Sequence, residues 1–344
     1  MKTEIVRTDS EAGCTDAVRR AVEALQAGEP VALPTETVYG LAADALNPAA
    51  VEKIFVAKQR PHFDPLIVHV HHRGAVGELA QLPEAAHSIV NDLLEAFWPG
   101  PLTLVLPRKP VIPDLVTGGL GTVALRQSAH PVFQRVIEAF GGPLAAPSAN
   151  RFGRMSPTSA EAVLDQLDGR IPLVVDGGAC ARGLESTIIK VEAGGTPPVI
   201  TVLRPGPVTE QDLRAFGTVQ FAVRNAEVED ATPEAPGMLA HHYAPRTPLR
   251  LLEPGASFRA EPGKRYALLS FRGTAKDGYL GEHPWVHVAV LSPETGTLEE
   301  AGTRFFHLLR ELDRLQVDEI IAEPLPDEGV GKALLDKLRK AALK

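Results

Sequence analysis

The sequence predicts an α/β protein with a twisted mixed sheet in a larger first domain and a smaller sheet in a second. Up to about residue 217, helical and strand patterns mix without strict alternation, which is typical of sheets with both parallel and antiparallel strands. Between 223 and 248, apolar periodicity gives way to Glu, Pro, Asn and Gly, which indicates a linker. Beyond it, strands and helices alternate as in a Rossmann-like sheet. We therefore predict domains at 1–217 and 248–344, joined by a linker at 218–247.

Hydrophobic periodicity places the elements of the first domain. An amphipathic helix is predicted from Asp16 to Ala27, with Thr15 as its N-cap and Gly28 at its C-cap. A second helix starts at Asn47-Pro48, since asparagine caps helices and proline suits the first helical position. Short aliphatic or β-branched runs predict the strands. The strands are expected at 31–33, 66–70, 103–106, 122–125, 144–146, 173–175, 187–191 and 199–203, and further helices at 85–97, at 131–140, after Thr158 and after Thr209.

The second domain is predicted from the same signals. Thr297 and Glu300 form a capping box that starts a long amphipathic helix, and a closing helix is expected at 330–342. Its strands are expected at 266–271, 286–291 and 319–322. Gly329-Val330-Gly331-Lys332 lacks the first glycine and the Ser/Thr of a P-loop, so we interpret it as a turn before the last helix.

Composition excludes several classes of protein. The 344 residues carry a formal charge of −8, which argues against broad polyanion binding but leaves room for a local basic pocket. Cys14 and Cys180 form no CxxC pair, so no disulfide framework or thiolate zinc site is expected. The charged segment Met1–Ser10 lacks the apolar region of a signal peptide, and no apolar run approaches the length of a membrane span. These features predict a cytoplasmic protein without membrane contact.

No common catalytic or metal-binding motif is present. The chain has no HExxH, no GxSxG and no kinase motif set. The pairs His71-His72 and His241-His242 are adjacent in sequence, and adjacent side chains seldom point at one ion. We therefore expect no metal site made by the protein alone.

The segment from Pro34 to His69 holds the first candidate chemistry. A buried strand runs into the loop Pro34–Gly40, which carries hydroxyls, a carboxylate and a tyrosine. Lys58 and Arg60 then fall at the C-terminal end of the Pro48 helix. Two interpretations stay open: a charge cap favoured by the helix dipole, or an anion site beside the hydroxyl groups.

Arginine, lysine and small hydroxyl residues recur directly after predicted strands and helices. Strand ends on one edge of an α/β sheet converge on a crevice, where guanidinium groups bind phosphate or carboxylate bidentately. Arg126 follows an apolar strand and therefore needs an anionic partner. His69 lies inside an apolar strand, and taken alone it fits a satisfied core histidine. The residues with this placement are Lys58, Arg60, Arg126, Ser148, Asn150, Ser156, Ser186 and Arg204.

These residues form a recognisable set. Lys58-Gln59-Arg60 with Ser148-Ala149-Asn150 resembles the KxR…SxN signature of the YrdC/Sua5 family. Several other segments match the family in order, and the C-terminal segments resemble the Sua5 C-terminal domain. They are Pro34–Gly40, Thr122–Arg126, Glu185–Thr187, Leu203–Gly206, Pro236–Met238, His242–Pro245, Phe305–Asp313 and Ala322–Pro324. The resemblance implies a YrdC-like twisted mixed sheet around a central basic cavity, followed by a small Rossmann-like Sua5 domain.

The resemblance also implies an activity. The family makes threonylcarbamoyl-AMP and pyrophosphate from L-threonine, bicarbonate or CO2, and ATP, with Mg2+ carried by the ATP phosphates. The product supplies the N6-threonylcarbamoyl group of adenosine 37 in tRNA, so a downstream transferase machinery and tRNA are expected partners. A linker that covers the nucleotide is expected too, because 236–245 is too aromatic for a plain tether.

Site residues follow from the motifs by resemblance. The L-threonine site is expected at Thr37, His69, Arg126, Ala146 (through its backbone) and Ser186. The ATP site is expected at Arg60, Asp64, Thr122, Ser148, Asn150, Ser156, Arg204 and Tyr243, with Lys58 and Arg60 as catalytic residues near phosphate. Asp64 departs from the family, which commonly has Asn there. An ionised Asp repels phosphate, so it either meets ATP through Mg2+ or turns away.

Two other functions compete with this prediction. A non-catalytic protein that binds tRNA or double-stranded RNA would also use a basic concave pocket, but the acidic net charge and the lack of a separate Lys/Arg run disfavour it. An adenylating domain that uses carbamoyl phosphate, as in hydrogenase-maturation relatives, would carry acylphosphatase and zinc-finger modules, which this sequence lacks.

Overall fold

The computed structural model describes residues 2–192, 194–222, 233–239, 242–256, 258–274 and 284–343. Within these ranges the chain builds one mixed sheet of eleven strands and a second, parallel sheet of four. The predicted mixed α/β fold with a second, smaller sheet is confirmed. Parts of the predicted linker, 223–232 and 240–241, lie outside the described residues, as does His241 of the second histidine pair.

The first sheet and its helices span the chain to Phe221. The strands are β1 (Glu4–Arg7), β2 (Val31–Leu33), β3 (Gly40–Asp44), β4 (Ile67–His69), β5 (Leu102–Pro107), β6 (Thr122–Arg126), β7 (Leu144–Ala145), β8 (Leu173–Asp176), β9 (Thr187–Glu192), β10 (Val199–Arg204) and β11 (Thr218–Phe221). The helices are α1 (Glu11–Gln26), α2 (Pro48–Lys58), α3 (Val76–Leu79), α4 (His87–Phe97), α5 (Asp114–Thr117), α6 (Pro131–Phe140), α7 (Ala160–Leu167) and α8 (Glu210–Leu213). Two 3-10 turns lie at 73–75 and 84–86.

The second sheet follows the linker. Its strands are β12 (Leu249–Leu251), β13 (Tyr266–Ser270), β14 (His287–Val290) and β15 (Glu319–Ala322), and its helices are α9 (Leu298–Arg314) and α10 (Gly331–Ala342). All its strand pairs are parallel, in the order β12-β15-β13-β14, and the Thr297 hydroxyl caps α9 as predicted.

Local signals explain most helix boundaries. The Asn47 side chain accepts hydrogen bonds from the backbone N–H groups of Ala49 and Ala50, as the sequence predicts for α2. The predicted start of α1 is wrong. That helix begins at Glu11, because the hydroxyl of Ser10 accepts from the N–H of Gly13 at 3.1 Å and caps it one turn earlier than Thr15 would.

The centre of the first sheet positions the candidate site. β4 pairs in parallel with β6, which places His69 opposite Arg126, and β4 pairs antiparallel with β7 on its other side. Side chains alternate between the faces of a strand, so Ile67, His69 and Arg126 share one face. β2 and β7 run opposite to β4 and β6, so the loops that follow them leave at different ends of the sheet. The expectation of a crevice at one edge is therefore wrong, and the cavity lies over this face.

The second sheet packs directly onto the first part of the chain. One hydrophobic cluster joins Leu184 of the first part with Phe305 and Phe306 of α9. Gly183 makes the closest approach: a Cβ built there would lie 2.4 Å from the carbonyl oxygen of Gly302, and its φ is +68°. Only glycine fits at this position. Among the described helices, none is long and apolar enough to cross a membrane.

This contact predicts the effect of a single methyl group. Gly183→Ala should lower the free energy of unfolding by the left-handed strain, about 1–2 kcal/mol, plus an overpacking cost of about 1–3 kcal/mol. Gly141→Ala is the matched control, since Gly141 has φ +77° but no atom within 4 Å of the built Cβ. Urea unfolding of the two variants measures the difference, and equal losses would contradict tight packing of this loop on α9.

Candidate active site

A small cavity lies over the central strands and under the end of the linker. The space open to the centre of a water molecule is about 40 Å³, enough for roughly three waters. Residues from nine short stretches of the chain line it: Thr35, Thr37, Val38, Gly40, Arg60, Ile67, His69, Arg126, Ala146, Pro147, Ser148, Glu185, Ser186, Arg204, Pro236, Gly237, His242 and Tyr243. Nine of the fourteen residues predicted from the sequence are in this set.

The two halves of the KxR…SxN signature meet at the cavity wall. Lys58 Nζ donates to the carbonyl oxygens of Ser148 and Asn150, at 2.5 and 2.6 Å, and Lys58 is buried behind the lining residues. Asn150 Nδ2 donates to the carbonyls of Arg151 and Arg154. Burial, and next the charge of Arg60, hold the pKa of Lys58 well below its usual range. In this arrangement Lys58 and Asn150 shape the loop that presents Ser148.

Arg60 reaches the cavity with a carboxylate beside it. Its Nη2 lies 2.9 Å from Oδ2 of the fully buried Asp64, and its Nε and Nη2 donate to the carbonyls of Asp64 and Pro65. Burial raises the pKa of Asp64, while the positive charge of Arg60 opposes that rise. Asp64 thus neither turns away nor lines the cavity; it forms an ion pair with Arg60.

Arg204 is a second buried cation of the cavity, and its main hydrogen-bond partner is Ser186. Arg204 Nε and Nη2 donate to the carbonyl oxygen of Ser186 at 3.0 and 2.9 Å, and Nη2 also lies 3.0 Å from the Ser186 hydroxyl. Its Nη1 donates to the carbonyl of Pro236 in the linker at 3.3 Å. Ser186 Oγ is held in turn by the hydroxyl of Thr103 at 2.8 Å.

Arg126 has the anionic partner that its burial demands. Its Nη2 lies 2.6 Å from Oε1 of Glu36, and its Nε donates to the carbonyl of Gly100. The other Glu36 oxygen accepts from the hydroxyl of Ser128 at 2.6 Å and from the N–H of Ala129. Burial raises the pKa of Glu36, but Arg126 and Ser128 outweigh it, and the net shift is downward. Sequence reasoning noted this carboxylate in the Pro34–Gly40 loop without giving it a role.

His69 is a neutral side chain beside Arg126. It is fully buried, its ring lies 4.7 Å from that of Phe133, and Nδ1 has no hydrogen-bond partner among the described residues. Burial, with the nearby charge of Arg126, lowers the pKa of His69 to about 3. At neutral pH the ring therefore offers one donor and one acceptor to a ligand.

The second domain completes the wall. Ser156 donates to Glu185, and Lys337 of α10 lies 3.0 Å from the same carboxylate. Burial raises the pKa of Glu185, but Lys337, Arg204 and Ser156 outweigh it and lower the pKa to about 2. The ring of Tyr243 lies 5.0 Å from Lys337 Nζ. The Glu185–Lys337 ion pair was not predicted from the sequence, because its two residues come from different domains.

Five predicted residues do not line the cavity. Lys58, Asp64, Asn150 and Ser156 lie one contact behind it, as described above. Thr122 is at the start of β6, four residues from Arg126 on the same strand, and faces Pro107 of β5 across the pair. The roles assigned to these five residues stay predictions. Among the described residues, no group of three or more His, Cys, Asp or Glu side chains is placed to hold a metal ion.

Two family models match the chain in succession. The Sua5/YciO/YrdC model, described as "Telomere recombination", matches residues 23–206. The model described as "Threonylcarbamoyl-AMP synthase, C-terminal domain" matches residues 208–343. The chain belongs to the Sua5/YciO/YrdC family. The two matches also confirm the two-domain Sua5 form that the motifs predicted.

Relatives are similar over nearly the whole chain. A threonylcarbamoyl-AMP synthase of Pyrococcus abyssi is 40% identical over 330 residues, which are 94% of this chain and 94% of the relative. One of Bacillus subtilis is 39% identical over 337 residues, 94% of this chain and 92% of the relative. The crystal structure of P. abyssi Sua5 complexed with L-threonine has a TM-score of 0.84 at 36% identity and covers 99% of this chain and 98% of its own. The prediction of an enzyme of this family is confirmed.

The low pKa of His69 predicts a pH dependence of stability. The unfolded chain has a histidine pKa near 6.5 and the folded chain one of about 3, so between these values the unfolded state binds an extra proton. This histidine therefore lowers stability as pH falls from about 6.5 towards 3. His69→Gln should make the loss of stability between pH 6.5 and 4 shallower in urea unfolding. Parallel profiles for parent and variant would show that the pKa of His69 is the same in the folded and unfolded states, which would contradict the prediction.

Proposed function

We propose that this protein is a threonylcarbamoyl-AMP synthase that uses L-threonine, bicarbonate or CO2, and ATP. The observation that carries the proposal is the convergence of Arg60, Arg126 and Arg204, all less than 8% exposed, on one small cavity with Ser148 and Ser186. Buried arginines around small hydroxyls suit phosphate and carboxylate groups. We take the reaction from the names of the relatives. The arginine and serine side chains of the cavity are hydrogen-bond donors of the kind that this reaction needs.

The cavity divides naturally between the two substrates. Arg126, with Thr37, His69, Ala146 and Ser186, is the proposed threonine side. Arg126 binds Glu36 through Nη2 and donates to the carbonyl of Gly100 through Nε, which leaves Nη1 to donate to a ligand carboxylate. The proposed ATP side contains Arg60, Ser148, Arg204 and Tyr243, supported from behind by Asp64, Asn150 and Ser156, with Lys58 acting through the loop that it holds. Thr122 keeps its proposed ATP contact by resemblance alone.

The chemistry joins two anions and needs no covalent enzyme intermediate. The threonine amine adds to CO2 and loses a proton to give a carbamate. A carbamate oxygen attacks the α-phosphorus of ATP, and pyrophosphate leaves. Arg60 and Arg204 stabilise charge on the phosphates, and the Arg126 side holds the amino acid in position. A closed cavity keeps water from the carbamate and from the mixed anhydride.

Mg2+ enters this proposal with ATP. The described side chains form no metal cluster of their own, so the phosphates would hold most of the ion. Asp64 suits a supporting role, since its Oδ2 faces Arg60 while its buried Oδ1 accepts no hydrogen bond within the described chain. When bound, Mg2+ supplies further neutralisation of phosphate charge.

The proposed product also implies partners and a place of action. A mixed anhydride of this kind needs an acceptor, and we propose a cytoplasmic transferase machinery that passes the group to tRNA. We retain the division into a catalytic unit at 1–217, a linker at 218–247 and a C-terminal unit at 248–344 as part of the proposal.

One assay tests the reaction and separates it from its rivals. Purified protein should release pyrophosphate from ATP only when both threonine and bicarbonate are present, without RNA. Arg204→Ala should reduce that rate about tenfold to a hundredfold, the worth of a lost charge-assisted hydrogen bond. The exposed Arg170→Ala is the matched control and should keep the full rate. No release by the parent protein would leave RNA binding as the better function, and release with carbamoyl phosphate in place of threonine and bicarbonate would point to the adenylating rival.

We further propose that the linker acts as a lid over the nucleotide. Pro236, Gly237 and Tyr243 line the cavity, and Lys340 Nζ donates to the carbonyl of Gly237 at 2.7 Å. The remaining space of about 40 Å³ is far below the roughly 300–1,000 Å³ of a small-molecule site, so ATP requires the linker to move. The alternative is a segment that packs here for stability alone.

The hydroxyl of Tyr243 gives a test of the lid. It is buried at the cavity and has no hydrogen-bond partner among the described residues. Tyr243→Phe should weaken ATP binding about threefold to tenfold, the worth of one neutral hydrogen bond, with little change in stability. Tyr266→Phe in the second domain is the control. If ATP binds both variants as tightly as the parent, and ATP with threonine leaves hydrogen exchange at 233–239 unchanged, the linker is only a tether.

A further inference from the structure

A second, wider cleft of the described chain lies outside the cavity above. It runs between the loop after Ser148-Ala149-Asn150, the end of the linker and the C-terminal part of α9. The space open to the centre of a water molecule is about 750 Å³, which is the size of a nucleotide-binding pocket. It shares a wall with the proposed active site, because the N–H of Ala244 donates to the carbonyl of Gly153.

The cleft is strongly cationic in an acidic protein. Five arginines line it: Arg151, Arg154, Arg246, Arg310 and Arg314. Only two carboxylates do so, whereas acidic residues outnumber basic ones by 43 to 35 in the whole sequence. The cations are all arginine and none is lysine, and the planar guanidinium is the group that binds phosphate bidentately.

Most of this charge is not neutralised by carboxylates. Among the described residues, Arg151 contacts the side-chain oxygen of Gln59, and Arg310 donates to the carbonyls of Phe306 and Ser156. Arg151, Arg154 and Arg310 have no carboxylate within ion-pair distance among the residues that the structure describes. Arg314 is paired with Asp165. Arg310 is 8% exposed, and although burial lowers its pKa to about 10, it stays charged at neutral pH.

A helix dipole explains only part of the cluster. Cations at the C-terminal end of α9 are favoured by the dipole, which accounts for Arg310 and Arg314. Arg151, Arg154 and Arg246 come from two other segments and gain nothing from that helix end. Bringing them together costs repulsion, and an anionic ligand would relieve it.

We propose that this interdomain cleft is a second anion site that binds the phosphate chain of a small di- or triphosphate. Arg151, Arg154 and Arg310 carry three positive charges with no ion-paired carboxylate in the described chain, which suits one phosphate chain in a concave pocket better than an extended nucleic-acid backbone. The ligand could be inorganic pyrophosphate or a nucleoside triphosphate, since both carry the same group. The site is separate from the proposed catalytic cavity and does not depend on the proposed reaction.

Calorimetry and hydrogen exchange on the full chain test the site. Pyrophosphate and ATP are titrated separately, with AMP as a monophosphate comparison. We expect two binding events for the active ligand, and protection of 246–248 and 310–317 in addition to the cavity segments. Arg154→Ala should weaken the second event about tenfold and Arg154→Glu should remove it, while the exposed Arg170→Glu keeps both events. Protection by pyrophosphate alone identifies the inorganic ion, and protection by ATP alone identifies the nucleotide.

Three results would overturn the proposal. The first is a single binding event whose protection is confined to the cavity segments. The second is an Arg154→Glu variant that binds like the parent. The third is protection of 310–317 by a single-stranded RNA oligonucleotide but not by pyrophosphate or ATP, which would make the cleft an RNA surface instead.

Discussion

The burial of cations is the constraint on which the rest of this site depends. Lys58, Arg60, Arg126 and Arg204 are each less than 8% exposed, and an unpaired buried charge is too costly to persist. The chain meets the cost in two ways. Lys58 and Arg204 donate to backbone carbonyls, while Arg60 and Arg126 are paired with Asp64 and Glu36. The loops of the cavity take their shape from these bonds.

The same constraint ties the second domain to the site. Glu185 lies in the cavity wall and its charge is balanced by Lys337, which is fully buried on α10. Removing one partner of such a pair leaves an uncompensated charge, which typically costs about 3–5 kcal/mol. Leu184 meanwhile packs with Phe305 and Phe306 in one core. The C-terminal part of the chain is therefore a structural member of the cavity wall.

The sequence predicted most of what local patterns encode. The capped helix from Pro48, the aliphatic strands and the KxR…SxN residues were all found from spacing and resemblance. β3 was missed because Gly40–Asp44 is rich in glycine and alanine, which have low strand propensity. This segment forms a strand because it pairs with β2 on one side and with β7 on the other. The Glu36–Arg126 bond joins residues 90 positions apart, and a local sequence pattern cannot predict a partner at that distance along the chain. The place of Lys58 behind Ser148 was hidden for the same reason.

Two kinds of contact in the cavity have different consequences for binding. The bonds of Lys58 to Ser148 and Asn150 are buried and involve no residue of the linker, so movement of the linker does not have to break them. Two contacts hold the linker at the proposed lid position: the 2.7 Å bond from Lys340 to the Gly237 carbonyl, and the 3.3 Å bond from Arg204 to the Pro236 carbonyl, which is long for a charged donor. A phosphate that reaches Arg204 offers a stronger acceptor than that carbonyl and competes with it directly. Arrival of the nucleotide would thus remove one of the contacts that hold the proposed lid in place, which couples opening of the cavity to the ligand that needs it.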